Sequence, residues 1–229
     1  PWTRIPVSIS DERLLGGLDL PATLAAGRPV LQAGVLAFSD QGVLVLPMAE
    51  RLPGGTAARI AAALDRREVL LERDGLCDRR PARFGVVLLD EGLADDPGVP
   101  EALADRLAFD IDLRSVSPST ALDDRLPSTG ISHGDVASAA ERLTGIGAPD
   151  SASAALCGTA FALGVHSMRA PLLALAVARA SAALDGNNDC SEDDVQIAAA
   201  LVLAPRATQW PSAASDATGL RNGARGLLR

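Results

Sequence analysis

Few residues of this chain are equipped for chemistry, and their spacing excludes several classes of it. Cys77, Cys157 and Cys190 are far apart, odd in number and show no CxxC pairing, with only His133 and His166 beside them. A zinc site and a disulfide framework are therefore not expected, and three reduced, mostly structural thiols are. Lysine is absent, so all 21 basic residues are arginine, as a GC-rich coding sequence produces. No Schiff-base or phosphate-loop lysine can then exist in the chain. The acidic pairs Asp95-Asp96, Asp123-Asp124 and Asp193-Asp194 read as loop or cap residues rather than acid/base couples. His133, in a Ser-His-Gly loop, and His166, at a helix end where a cation is favoured, carry no expected chemistry.

The informative stretch is Gly42 to Leu52. Gly42 opens four aliphatic residues rich in valine, Val43–Leu46, which read as a short strand buried on both faces. Pro47 stops it, because proline cannot donate to a sheet ladder. In nucleotide hydrolases the C-terminal end of such a strand carries an acidic pair that holds Mg²⁺ and positions the attacking water. Here Pro47 and Met48 occupy those positions and can do neither. Glu50 lies two residues further on, too displaced to restore Mg²⁺ binding. Gly54-Gly55 lacks the lysine and hydroxyl of a phosphate loop and reads as a turn. The arginines at 66, 67, 73, 79, 80 and 83 form the densest basic region, but acids at 65, 68, 72, 74 and 78 nearly balance them. A solvated hairpin is the leading expectation there, and a partner-contact surface the lesser one.

The elements that position these residues follow from composition and punctuation. The 229 residues are 48% apolar but only 3% aromatic, with no tyrosine, so the core must be alanine, leucine and valine. That favours closely packed helices. A net charge of −8 argues against a general nucleic-acid binder. No apolar run is long enough to span a bilayer and no signal peptide opens the chain, so a cytoplasmic protein is expected. The start at Pro1, without a methionine, is read as a truncated edge.

Residues 1–15 read as extended or loop, and Gly16-Gly17 as a turn. Asp19 should cap a short helix with Pro21 in its first turn, ended by Gly27. Thr56 should cap a helix reaching Arg67. Val69–Arg73 and Arg79–Leu89 read as strands around an Asp74-Gly75 turn. A loop over Ala94–Pro100, a helix over Glu101–Leu107 and a third strand over Phe109–Leu113 follow. Near 115–120 strand signals give way to alanine-rich helices, which places a domain boundary there. Helices are expected over Asp135–Leu143, Ser151–Leu163, Met168–Leu184 and Glu192–Leu203, the last with a Ser191/Asp194 capping box. Gly186-Asn187-Asn188 turns between the last two. The loop Leu126–Gly134 precedes these helices, and a Ser-, Gly- and Arg-rich tail or linker follows them. The fold expected is an α/β unit over 1–117, carrying an inserted hairpin near 69–84, then an all-α unit over 118–210 and a tail over 211–229.

Several strings at this spacing resemble the AAA+ subunits of the chlorophyll and bacteriochlorophyll magnesium chelatases. They are Arg13-Leu14-Leu15-Gly16-Gly17-Leu18-Asp19-Leu20, Ala33-Gly34-Val35-Leu36-Ala37 and Glu72-Arg73-Asp74-Gly75-Leu76. Pro81-Ala82-Arg83-Phe84 and Ala104-Asp105-Arg106-Leu107 complete the set, and the resemblance covers roughly residues 4 to 205. It implies an AAA+ P-loop-type parallel sheet with flanking helices, followed by a helical lid, with the phosphate loop ahead of Pro1. The family's motor (I) subunit keeps the acidic pair that Pro47 and Met48 replace, so the chain looks like the D-type subunit with a decayed module. Glu91 lies nearest the family's sensor asparagine, where a carboxylate would repel a γ-phosphate. Arg106 matches the arginine finger, which reaches a neighbour's γ-phosphate, and Arg169 the second phosphate-sensing arginine of the lid.

The resemblance further implies self-association into a ring, a ring assembly with the I-type motor, and a connection to the porphyrin-binding H subunit. ATP and Mg²⁺ would act at the motor to drive Mg²⁺ insertion into protoporphyrin IX, and no nucleic acid would be involved. The alternatives are a weak ATPase in its own right, a pure scaffold with no phosphate contact, and a more distant MoxR-type metal-insertion chaperone.

Overall fold

The computed structural model describes residues 1–73, 76–93, 96–114, 116–117 and 130–210. The chain divides into two units, Pro1–Arg106 and Leu107–Arg229, ahead of the 115–120 boundary expected from the loss of strand signals. Arg206 accounts for the difference. Its guanidinium donates to the carbonyls of Leu107, Ala108 and Val202, which ties residues 107–108 to the helical unit. No helix among the described residues is long and apolar enough to cross a membrane.

The first unit runs β1 (Trp2–Arg4), α1 (Asp11–Leu15), β2 (Gly16–Leu18), α2 (Leu20–Ala26), β3 (Leu31–Ala33), α3 (Val35–Phe38), β4 (Val43–Leu46), α4 (Gly54–Arg66), β5 (Glu68–Arg73), β6 (Leu76–Pro81), β7 (Gly85–Leu88) and α5 (Glu101–Ala104). Strands β1, β4 and β7 form a parallel sheet with β4 in the middle, while β2–β3 and β5–β6 are antiparallel pairs. Along β4, Leu44 and Leu46 are fully buried, whereas Val43 and Val45 are only partly covered. One face is closed and the other half-closed, where burial on both was expected. Ile5, Leu14, Leu36, Ile60 and Leu103 complete the core around the two leucines.

Local chemistry sets the boundaries. The Asp19 carboxylate accepts from the Ala22 N–H at 2.9 Å, and Gly27 closes α2 in the left-handed region. Helix α4 starts at Gly54 behind Pro53, so Thr56 lies inside the helix, buried, rather than capping it. Gly16-Gly17 is not a turn but the start of β2, because the backbones of Gly16 and Gly34 approach too closely for side chains. A Cβ on Gly34 would lie 2.3 Å from the Gly16 nitrogen. The extended stretch before it holds β1 and α1.

Residues 79–89 form two strands rather than one. Arg79–Pro81 end β6, antiparallel to β5, and the chain re-enters the parallel sheet at Gly85. The strand expected over Phe109–Leu113 does not form. Phe109, Ile111 and Leu113 are 49%, 70% and 65% exposed, so the alternation finds no sheet to join. The Asp74-Gly75 turn, residues 94–95, Asp123-Asp124, most of the loop before Gly130 and the tail lie outside the described residues.

The second unit contains α6 (His133–Leu143), α7 (Asp150–Ala162), α8 (Ala170–Leu184) and α9 (Glu192–Ala198). His133 opens α6 behind a Ser132/Asp135 capping box, so it is helical rather than in a loop. His166 lies in the connection after α7 rather than at its end. The expected Ser191/Asp194 capping box is present on α9. Helix α9 passes into a π turn over Ala199–Leu203 and a 3₁₀ turn over Ala204–Arg206. Pro205 cannot donate to a helical ladder, so the α-helix does not continue to Leu203 as expected. On α8, Ala170, Ala174, Ala178 and Ala182 are fully buried, the close packing that an aromatic-poor core requires. Arg142 donates to the Ala183 carbonyl and Arg179 to those of Ile146 and Leu143, which clamps α6 and its following turn to α8.

Candidate functional site

At the C-terminal end of β4, Pro47 is buried and Met48 adopts a left-handed backbone, φ 51° and ψ 44°, before the 3₁₀ turn Ala49–Arg51. The adjacent end of β7 is held beside it. The Leu89 N–H donates to the Leu46 carbonyl at 2.9 Å, and the Ala49 N–H donates to the Leu89 carbonyl at 2.9 Å. Parallel pairing thus brings Pro47-Met48 and Glu91 together, although 43 residues separate Met48 from Glu91 by number. The Glu91 residue is exposed.

Glu50 does something sequence reading did not foresee. Its side chain is only 4% exposed, and its Oε2 accepts the Glu91 N–H at 3.1 Å. Its Oε1 has no hydrogen-bond partner, with Arg51 Nε in an ion pair 3.3 Å away. Gly92 leaves room for this, since a Cβ there would lie 3.2 Å from Glu50 Cγ. The carboxylate therefore staples the turn after β4 to the loop after β7. Pro47 and Met48 offer no side-chain oxygen at this strand end. Among the described residues, no group of three His, Cys, Asp or Glu side chains could hold a metal ion. The carboxylate at this strand end is that of Glu50, buried and turned to the Glu91 N–H.

Arg106 follows α5, whose Leu103 is buried in the core of the first unit. Its side chain is 19% exposed. Nε donates to Asp65 Oδ1 at 3.0 Å, Nη2 donates to Asp65 Oδ2, and Nη1 donates to the Ala102 carbonyl. The hydrogen bonds it donates to Asp65 push the guanidinium pKa above its usual value, against the opposing effect of burial, with the charges of Asp65 and Asp105 adding to the rise. Asp65 lies in the last turn of α4, 41 residues away. Nothing local in the sequence announces this pair.

Arg169 belongs to the second unit. It is exposed at the start of α8, where its N–H donates to Ser167 Oγ at 3.2 Å and Pro171 occupies the first turn. In the β5–β6 hairpin Arg80 pairs with Asp78 at 2.6 Å and Arg79 with Glu68 at 3.7 Å. This fits the solvated, charge-balanced hairpin expected from the sequence. Cys77 and Cys157 are exposed and Cys190 is buried, with no disulfide among them.

Comparison with known proteins adds names to this geometry. A family model described as the AAA lid domain matches residues 153–221. The magnesium-chelatase 60 kDa subunit of Cereibacter sphaeroides is 42% identical over 212 residues, covering 90% of this chain and 33% of that protein. The 67 kDa subunit of Chlorobaculum parvum is 31% identical, covering 92% of this chain and 36% of that protein. The 38 kDa subunit of Rhodobacter capsulatus is 28% identical, covering 92% and 65% respectively. The chain thus spans about a third of the length of the 60 and 67 kDa relatives. A solved structure of a predicted ATPase from Cytophaga hutchinsonii superposes with a TM-score of 0.66 at 16% identity, covering all of this chain and 76% of that one. The fold is therefore an AAA-type parallel sheet with flanking helices followed by a helical lid region, as expected, in a chain similar to magnesium-chelatase subunits.

Proposed function

We propose that this chain is a non-hydrolysing AAA+ platform of a cytoplasmic magnesium chelatase. It assembles with an I-type motor subunit, related to the 38 kDa proteins, into a ring. ATP hydrolysis at the motor then drives Mg²⁺ insertion into protoporphyrin IX on the porphyrin-binding H subunit. The observation that carries the reading is the end of β4, where Pro47 and Met48 stand in place of metal-holding, water-orienting carboxylates. Glu91 adds a negative charge where a γ-phosphate would need a donor. The similarity to 60 kDa subunits over 90% of the chain supports the same assignment.

In this reading ATP and its Mg²⁺ are bound at the partner. Arg106 supplies charge stabilisation to the neighbour's transferring phosphoryl group, and Arg169 is the phosphate-sensing position of the lid. Head-to-tail contacts of this kind are heterologous and close into a ring only if the rotation does. One observation favours a second reading, a scaffold without phosphate contact: Arg106 is engaged within its own subunit by Asp65. Steady-state ATP hydrolysis by the motor, alone and mixed with wild type, Arg106→Ala or Arg169→Ala, separates the two, with complex formation followed by size exclusion. The platform reading expects Arg106→Ala to abolish the effect on the motor while binding persists. An unchanged mixture would leave the scaffold.

A further inference from the structure

We infer that Asp65 is a positioning residue for Arg106. It holds the guanidinium folded onto its own subunit and competes for it with an anion presented by a neighbouring subunit. The inference rests on the trans-acting role of Arg106 proposed above and adds its control. A finger must project from its subunit to reach a partner's phosphate, yet the Arg106 side chain is 19% exposed. Three donors are committed within the chain: Nε and Nη2 to the two oxygens of Asp65, and Nη1 to the Ala102 carbonyl. The side-on edge of the fork, which reads carboxylate and phosphate oxygens alike, is therefore occupied.

Asp65 has little to offer its own helix. It precedes Arg66, the last residue of α4, and a carboxylate near a helix C-terminus opposes the carbonyl dipoles. Its position does allow the bidentate pair with Arg106. The exchange is chemically conservative, since a phosphate presents the same paired oxygens with more charge. The pair is also reversible, because Asp65 is 36% exposed and pairs open to water are weak. While paired, Asp65 cancels the charge that Arg106 would bring to a transferring phosphoryl group.

The test is ATP hydrolysis by the I-type motor mixed with wild type, Asp65→Asn, Asp65→Glu, Arg106→Ala and the double variant Asp65→Asn/Arg106→Ala, with thermal unfolding to establish folding. Asp65→Ser serves if Asp65→Asn is poorly folded. Removing the competing charge should raise kcat of the mixture about 2- to 5-fold, the span set by the strength of solvent-accessible pairs. KM for ATP should move little. Asp65→Glu should return the wild-type rate, and the double variant should match Arg106→Ala alone. A lower or unchanged kcat for Asp65→Asn, or a gain that survives in the Arg106→Ala background, overturns the role of Asp65. Loss of stimulation in Arg106→Ala together with no gain in Asp65→Asn sinks Asp65 alone. No loss in Arg106→Ala removes the trans-acting arginine, and with it this inference.

Discussion

The alanine stripe of α8 makes the sharpest structural prediction. Ala170, Ala174, Ala178 and Ala182 recur every four residues and each has 0% exposure. Ala178→Leu adds three carbons at the middle of that stripe. If space existed, burying them would stabilise the unit by about 2.4 kcal/mol, at about 0.8 kcal/mol per buried carbon. Close-packed helices leave no such space, and overpacking of this kind costs about 1–3 kcal/mol. The two tryptophans divide the assay, since Trp2 lies in the first unit and Trp210 in the second. In a Trp2→Phe background, Trp210 fluorescence reports urea unfolding of the helical unit alone. With a slope of about 1–2 kcal/mol per molar urea, Ala178→Leu should lower the midpoint by about 0.5–3 M. Leu172→Ala on the same helix, 69% exposed, should stay within about 0.5 kcal/mol of wild type. An Ala178→Leu midpoint equal to or above wild type would refute the claim that this face is packed to contact.

In the first unit, Gly34→Ala should destabilise by at least about 2 kcal/mol, read as a fall in its urea midpoint. The added Cβ would meet Gly16 N, Leu15 C and Leu14 O at 2.3–2.4 Å, and backbone cannot swing aside. In the second unit, burial pushes the Asp194 carboxyl up, but hydrogen bonds from the Ser181 and Ser191 side chains and the Ser191 N–H outweigh it and leave the pKa lowered. A carboxylate depressed in the folded state contributes stability above its unfolded pKa and loses it as pH falls through the folded value. Asp194→Asn should therefore be less stable at neutral pH, by about 1 kcal/mol as for a lost cap, and should show a flatter decline below pH 4 in thermal unfolding.

Where the fold was legible in the sequence, short-range chemistry decided it. Asp19, Pro21 and Gly27 specify a seven-residue helix by themselves, and Ser191 with Asp194 marks the start of α9. The valine-rich run after Gly42 and the stop at Pro47 locate the central strand. The errors lie where a partner distant in sequence decides. Gly16-Gly17 has turn composition, but its approach to Gly34 makes it a strand. Phe109–Leu113 has strand alternation and no strand to pair with. At the candidate site, Pro47 and Met48 were legible as positions because they follow the aliphatic run of β4, and Glu91 because it follows the apolar run of β7, which the fold leaves only partly covered instead of buried. The engagement of Arg106 by Asp65 and the staple from Glu50 to Glu91 were not, since both span 41 residues and depend on where the helices and loops come to rest.

The central claim is that the end of β4 has lost hydrolysis. Phosphate release from saturating Mg-ATP by the protein alone, wild type beside Glu50→Gln, tests it most directly. The account predicts that wild type and Glu50→Gln are equally silent, with Glu50 acting only as a staple. Robust turnover by wild type that Glu50→Gln abolishes would contradict it, and would make the buried carboxylate the base that Pro47 and Met48 cannot be.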